Sequence, residues 1–183
     1  MTARLRIKEI RKDFMKMFKK IPSLSLVTGI IITKERNFVK MIKIIAGGKK
    51  HGGEYAWLIK DYQKRCRAPF DFEFKFYEGE KLDEFLASWP FTGNQFVILC
   101  DERGEIVSSP DFCQLLEKQF NSSKEVIVII GAAFGVSEEV RERADFVLSF
   151  SKMVFPHMLS RLIISEQLYR AQEIYKGGSY HHE

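Results

Sequence analysis

The chain has 183 residues, of which 45% are hydrophobic and 29% charged, with a formal net charge of +5. That suffices for one globular domain with a real core, and no apolar run approaches the length of a membrane span. Cys66, Cys100 and Cys113 are odd in number and widely spaced, with neither metal-ligand spacing nor a disulfide framework, which points to a reduced, cytoplasmic compartment and no metal.

Residues 1–40 differ from the rest. Of the 29 basic and 24 acidic residues, 11 and 3 fall there, a net of +8; the remainder hold 18 and 21, a net of −3. The body is therefore not basic overall, and any RNA binding by it must come from a local patch. Leu5 to Ile21 is basic, with Ile7, Ile10, Phe14, Phe18 and Ile21 near helical spacing. Ser23 to Ile32 is a short apolar stretch, but no small-residue cleavage site follows, so a signal peptide is not the reading. Residues 1–40 read as a basic N-terminal extension: an accessory RNA-contacting arm, or a disordered stretch upstream of the start that is used.

From Met41 strands and helices alternate. Met41–Ala46 reads as a strand ending in Gly47-Gly48, and His51–Arg67 as a helix with Tyr55, Ile59, Tyr62 and Cys66 near one face. Phe70–Tyr77 alternates Phe70, Phe72, Phe74 and Phe76, a strand pattern. Lys81–Trp89 reads as a short helix, Pro90–Asn94 as a turn, and Gln95–Cys100 as a strand ending in Asp101–Gly104. Ser109-Pro110 opens a helix to about Phe120, with Ser109 as N-cap. Val126–Ile130 is wholly apolar, as buried parallel strands are. Ser137 caps a helix to Glu142, and Phe146–Phe150 is the last strand. The alternation predicts a parallel α/β sheet with helices on both faces. Ligands of such sheets bind beyond the carboxyl ends of strands, here Cys100-Asp101, Ile130-Gly131 and Phe150-Ser151.

The last helix is expected from Pro156 to about Lys176, stopping at Gly177-Gly178. Leu159, Leu162, Ile163, Ile164 and Leu168 spread around most of its circumference, so it is covered on several sides. Yet His157 and Arg161, and then Glu166 and Arg170, sit four apart. The residues alone support two readings equally: a structural ion pair with a surface histidine, or a site beside a subunit interface. Gly131-Ala-Ala-Phe-Gly135 follows a buried strand, where glycines allow close approach of a ligand, though many such turns use glycine only for packing.

The run Leu148-Ser-Phe-Ser-Lys-Met-Val-Phe-Pro-His157, then Arg161, Glu166-Gln-Leu-Tyr-Arg-Ala171 and the terminal Tyr180-His181, closely resembles the knotted SPOUT class of bacterial large-subunit rRNA methyltransferases. These methylate N3 of a pseudouridine in 23S rRNA. The resemblance spans Met41 to Glu183 and is densest after Glu125. It implies an α/β knot with a C-terminal trefoil, S-adenosyl-L-methionine as cofactor, a homodimer with the site at the subunit interface, and the assembled ribosome as substrate.

The same resemblance places the cofactor against Cys100, Gly131, Gly135 and the loop Phe150, Ser151, Lys152, Met153, Val154 and Phe155. Ala132 stands where the family has a second glycine. His157, Arg161 and His181 are placed near the nucleobase; a histidine at a helix start, where the dipole disfavours imidazolium, suits a neutral base. Glu166, Tyr169, Arg170 and Tyr180 are assigned to substrate and site support, and His182 holds the family's terminal basic position. Two other readings stay open: a non-catalytic ribosome-binding protein on the same fold, and, far behind, an unrelated doubly wound nucleotide-binding enzyme without a phosphate loop.

Overall fold

The computed structural model describes residues 41–50, 52–78, 80–133 and 135–180. The extension at residues 1–40 and the tail residues His181 and His182 lie outside the described residues. Among the described residues five strands and five helices alternate: β1 (Ile42–Gly47), α1 (Gly53–Arg65), β2 (Phe72–Tyr77), α2 (Lys81–Ser88), β3 (Gln95–Ile106), α3 (Ser109–Asn121), β4 (Glu125–Ile130), α4 (Glu138–Glu142), β5 (Phe146–Ser149) and α5 (His157–Tyr175). The strands form one sheet in the order β2-β1-β4-β3-β5, and every pair is parallel. All five carboxyl ends therefore lie along one edge.

Strand alternation divides the core between the two faces. Ile44, Ile98, Val128 and Ile130 point to one side, where they meet Phe112 and Leu116 of α3 and Ile164 and Leu168 of α5. Ile45, Leu99, Ile127 and Ile129 point to the other, where they meet Leu82 and Leu86 of α2 and Val140 of α4. β4 sits at the centre and is buried along its whole length, which is why Val126–Ile130 is apolar without alternation.

Two boundaries depart from the sequence pattern for definite reasons. Asp101–Gly104 was expected to end β3, yet the strand runs to Ile106. β3 pairs with β5 up to Cys100↔Leu148, slips, and resumes at Glu105↔Leu148 and Ile106↔Ser149. The polar run is a bulge, not a terminus. The N-cap of α3 is Ser108 rather than Ser109: its hydroxyl accepts from the Asp111 amide at 3.2 Å. Ser109 instead donates to Gln167 of α5 at 2.8 Å.

The buried line of α5 is Arg161, Ile164, Ser165, Leu168, Ala171 and Gln172. Most of its polar groups find partners inside the protein, the buried Arg161 Nε excepted: the Ser165 hydroxyl donates to the Arg161 carbonyl at 2.7 Å, and the Gln172 side-chain oxygen accepts from the Arg67 amide at 2.5 Å. Leu159, Leu162 and Ile163 are only half-buried. The helix ends as expected, with Gly177 at φ +68. The Gly178 amide donates to the Glu173 carbonyl and the Gly177 amide to Ile174, the paired bonds of a Schellman stop.

The bulge in β3 depends on Gly104. A Cβ there would lie 2.4 Å from the Val147 carbonyl oxygen and 2.7 Å from its carbon, both backbone atoms that cannot move aside cheaply, whereas a Cβ at Gly93 meets nothing within 4 Å. Gly104→Ala should cost about 1–3 kcal/mol in urea unfolding, and Gly93→Ala should stay within about 0.5 kcal/mol of the parent. Equal effects at both positions would remove this account of the bulge.

Candidate active site

A cavity of about 470 Å³ opens at the carboxyl edge of the sheet, between the ends of β3, β4 and β5 and the first turn of α5. Most of its wall is backbone and apolar side chain. Of the residues placed there by sequence, Cys100, Gly131, Gly135, Phe150, Ser151, Met153, Val154 and Phe155 line it, and so does His157. Lys152 is exposed on the same loop but does not face the cavity.

The glycines have a geometric reason. A Cβ at Gly131 would stand 2.6 Å from the Gly135 carbonyl carbon, so the turn can fold back only if residue 131 is glycine. Gly135 has φ +76 and its amide donates to the Ala132 carbonyl at 3.0 Å, closing the turn. The Ala132 backbone nitrogen in turn lies 2.6 Å from where a Gly47 Cβ would be, so the turn packs directly on the end of β1.

The opposite wall is the loop after β5. The buried Ser149 hydroxyl donates to the Ser151 carbonyl at 2.7 Å, with the Glu102 carbonyl at 3.2 Å. The Met153 amide donates to the Ser151 hydroxyl at 2.9 Å. These bonds tie the bulge of β3 to the loop that carries Met153 and Val154, which are 71% and 75% exposed. Cys100 is a passive neighbour: burial pushes its thiol up to about 12, far from thiolate chemistry at neutral pH.

His157 and Arg161 are brought together but do different jobs. A Cβ built at Gly48 would lie 3.5 Å from His157 Nε2 and 3.4 Å from Arg161 Nη2, so both side chains crowd the β1–α1 loop. Arg161 has no exposed surface. It donates to the Gly47 carbonyl at 2.7 Å and the Lys49 carbonyl at 2.8 Å, and its guanidinium lies 5.0 Å from the Phe76 ring centre. It sits behind His157 and does not line the cavity. Burial, and then the nearby Arg161 charge, lower the His157 pKa from its ordinary 6.5. The imidazole is therefore neutral at pH 7, from desolvation and a cation rather than from the helix dipole alone.

The other expected residues form a separate cluster. Arg170 donates to Glu166 at 2.6 and 2.9 Å, and the Tyr180 hydroxyl reaches the same carboxylate oxygen at 3.4 Å. The Tyr180 ring packs edge-on against Tyr169, with centroids 4.9 Å apart. Tyr169 lies twelve residues beyond His157, about 18 Å along the helix at 1.5 Å per residue. Glu166, Tyr169, Arg170 and Tyr180 of this chain do not line the cavity.

Sequence reasoning marked Asp101 only as a strand end; it lines the cavity and organises it. Arg141 of α4 lies 2.6 Å from one of its oxygens and Arg103 3.0 Å from the other. No spacing rule joins positions 101 and 141, so the partner was not visible. Burial pushes the Asp101 carboxyl up, but the hydrogen bonds from Arg103 and the Arg141 guanidinium 2.6 Å away outweigh it and hold the group at about 2.

A family model described as predicted SPOUT methyltransferase matches residues 41–181. The chain is 39% identical over 154 residues to the ribosomal RNA large subunit methyltransferase H of Christiangramia forsetii, an alignment covering 77% of this chain and 98% of that one. It is 37% identical over 161 residues to the protein of the same name from Desulfitobacterium hafniense, covering 76% and 98%. A shorter match to the namesake from Caldicellulosiruptor bescii reaches 48% over 87 residues, spanning 48% of this chain and 56% of that protein. Among solved structures, a probable methylase family protein from Haemophilus influenzae aligns with a TM-score of 0.47 at 11% identity, over 76% of this chain and 68% of that one.

The lowered pKa of Asp101, about 2 against an ordinary 3.8, has a definite sign. The folded state binds this proton less readily than the unfolded state, so the stabilisation is complete above pH 4 and is lost as pH falls through 2. Asp101→Asn should cost about 2 kcal/mol at pH 7, and the difference from the parent should shrink between pH 4 and pH 2 in urea unfolding. A difference constant across that window would show that the carboxylate charge is not what stabilises the wall.

Proposed function

Because the chain belongs to the SPOUT methyltransferase family, we propose that it is an S-adenosylmethionine-dependent rRNA methyltransferase acting on N3 of a pseudouridine in 23S rRNA. The substrate reading extends to the assembled ribosome and to a homodimer as the active unit, with the trefoil knot of the family at its C-terminal end. The observation that carries it is the place of His157 at the rim of a mostly apolar cavity beyond the carboxyl ends of β3, β4 and β5, where burial and then Arg161 lower its pKa. The relatives' name supplies the substrate class.

The residues present fit this cofactor. Gly131 leaves backbone open at the end of β4 where a Cβ has no room, and Phe150, Met153 and Phe155 suit an amphipathic ligand held largely by apolar contact. When bound, the cofactor supplies an already activated methyl group, so the protein's task is mainly positioning. The glycine turn and the loop after β5 hold the two ends of the site. His157 accepts the proton that N3 of the base must lose, which its neutral state permits. Arg161 acts through its neighbours: by fixing Gly47 and Lys49 against α5 it sets where His157 stands. His181 and His182 complete the proposal, at the nucleobase and at a phosphate.

Two features favour a second copy. Leu159, Leu162 and Ile163 are incompletely covered on α5, and Met153 and Val154 are exposed at the cavity rim. Tyr180 is held on α5 far from His157 of the same chain, so a tail that serves the reaction comes from the other subunit.

The test is transfer of labelled methyl from S-adenosylmethionine to ribosomes lacking native methylation, with the label mapped in 23S rRNA. His157→Ala should lower kcat by about 10²–10⁴-fold while leaving cofactor affinity within about twofold. In the parent, activity should fall on the acid side only below pH 6.5, as the imidazole takes a proton. Cofactor binding with no label on any ribosomal RNA would replace the enzyme with a ribosome-binding protein on the same fold.

A further inference from the structure

The body of the protein is acidic, but its charge is segregated. Residues 49–67 hold Lys49, Lys50, Lys60, Lys64, Arg65 and Arg67 against Glu54 and Asp61, a net of +4. Residues 41–183 total −3, so everything outside that short stretch sums to −7. The basic segment comprises the β1–α1 loop, α1 and the residues just after it.

On α1 the polarity is sharp. Ile59 is fully buried, and on the opposite side Trp57 is 70% exposed. At 100° per residue, Lys60 and Lys64 fall within about 60° of Trp57, and both are exposed. Two acids share that side: Glu54 in the first turn, also about 60° from Trp57, and Asp61, which is engaged by Arg65 at 2.8 Å. Arg65 in turn lies over the rings of Tyr62 and Tyr169, at 4.6 and 4.3 Å. Among the described residues, Lys49, Lys50, Lys60 and Lys64 have no carboxylate within ion-pair distance, and Trp57 has no aromatic neighbour. The strip begins at the loop whose Gly48 touches both His157 and Arg161.

We propose that Trp57, Lys60 and Lys64, continued by Lys49 and Lys50, form an RNA-docking face beside the active site. Trp57 stacks on an unpaired base, and the lysines contact the phosphates on either side of it. The inference rests on the rRNA reading above and adds the surface that does the recognising. One exposed aromatic among unpaired cations matches a ligand that offers a π face and phosphates together. A second copy of the chain would bring like charges together across a two-fold axis, and a membrane surface would need more than one apolar side chain on this face.

The experiment uses the full chain and salt-washed ribosomes lacking the methyl group, comparing the parent with the triple variant Trp57→Ala, Lys60→Gln, Lys64→Gln. The ribosome KM should rise about tenfold or more, with kcat and cofactor affinity within about twofold. The slope of log affinity against log salt should flatten by about 1.5–2. Trp57→Phe should retain most of the affinity lost in Trp57→Ala. Ribosome co-sedimentation reads the same face without catalysis. If the parent transfers no methyl yet pellets with ribosomes and the variant does not, docking stands and the methyltransferase reading fails. If the parent methylates and the variant shows the same KM and salt slope, or if the parent does not pellet at all, the docking face is overturned. Dissociation of a parent dimer by the triple variant in analytical ultracentrifugation would overturn it too, by making this a subunit interface.

Discussion

A guanidinium with no exposed surface needs acceptors, and here the terminal nitrogens of Arg161 find two backbone carbonyls and the Met158 sulfur, while its Nε finds none. Arg161 reaches from the second turn of α5 to Gly47 and Lys49, at and just beyond the end of β1. Removing its charge from water costs several kcal/mol. Each bond to a charged donor offsets about 1.5–3 kcal/mol, and stacking near Phe76 adds to that. Burial lowers the Arg161 pKa, but a guanidinium stays protonated. The outcome is geometric: the last helix is locked to the first strand, across 114 residues of sequence. His157, one turn earlier, then has a fixed place beside Gly48. Gly48 has φ +97, which favours glycine, and a Cβ there would be in ordinary contact with both side chains.

That lock explains why the helix looked ambiguous as sequence. Leu159, Leu162, Ile163, Ile164 and Leu168 suggested coverage on several sides, yet only Ile164 and Leu168 are buried. The face that enters the core is Arg161, Ser165 and Gln172 as much as it is apolar. Each of those polar groups finds a partner in the same chain, and such partners lie 105 or more residues away for Arg161 and the Gln172–Arg67 bond. A periodicity argument counts such residues as outward-facing. It therefore reads the helix as apolar all round when it is a helix with a partly polar buried face and an incompletely covered apolar flank.

The strands were legible because the parallel sheet leaves little choice. The wholly apolar run Val126–Ile130 of β4 belongs at the centre, and the Phe alternation of β2 suits a strand with one covered face. What failed was local polarity. Asp101–Gly104 has the composition of a turn, but pairing with β5 and the bare Gly104 backbone carry the strand onward. Ser108 and Ser109 both resemble caps. Asp111 three residues after Ser108 was a readable clue, since a capping pair needs that spacing. The cavity loops were found through their resemblance to a family, while Asp101 and Ser149 escaped because their partners, Arg141 and the Glu102 carbonyl, arrive only by folding.

The distribution of polar groups also separates two tasks. Around the cavity, charge is neutralised locally: Asp101 is held between two arginines, and Arg161 is buried against carbonyls. Such a site has a shape and mostly apolar walls, with Asp101, Glu102 and His157 among its lining residues, and it can hold a small ligand with little reorganisation. It offers almost no surface with which to select a large anionic substrate. Selection must then come from outside the cavity, and long-range attraction requires charges that are exposed and unpaired. A body that is net negative meets that need by concentrating its cations. The proposed docking face begins next to the loop that Arg161 pins, so the surface proposed to meet RNA and the histidine proposed as base refer to the same strand end.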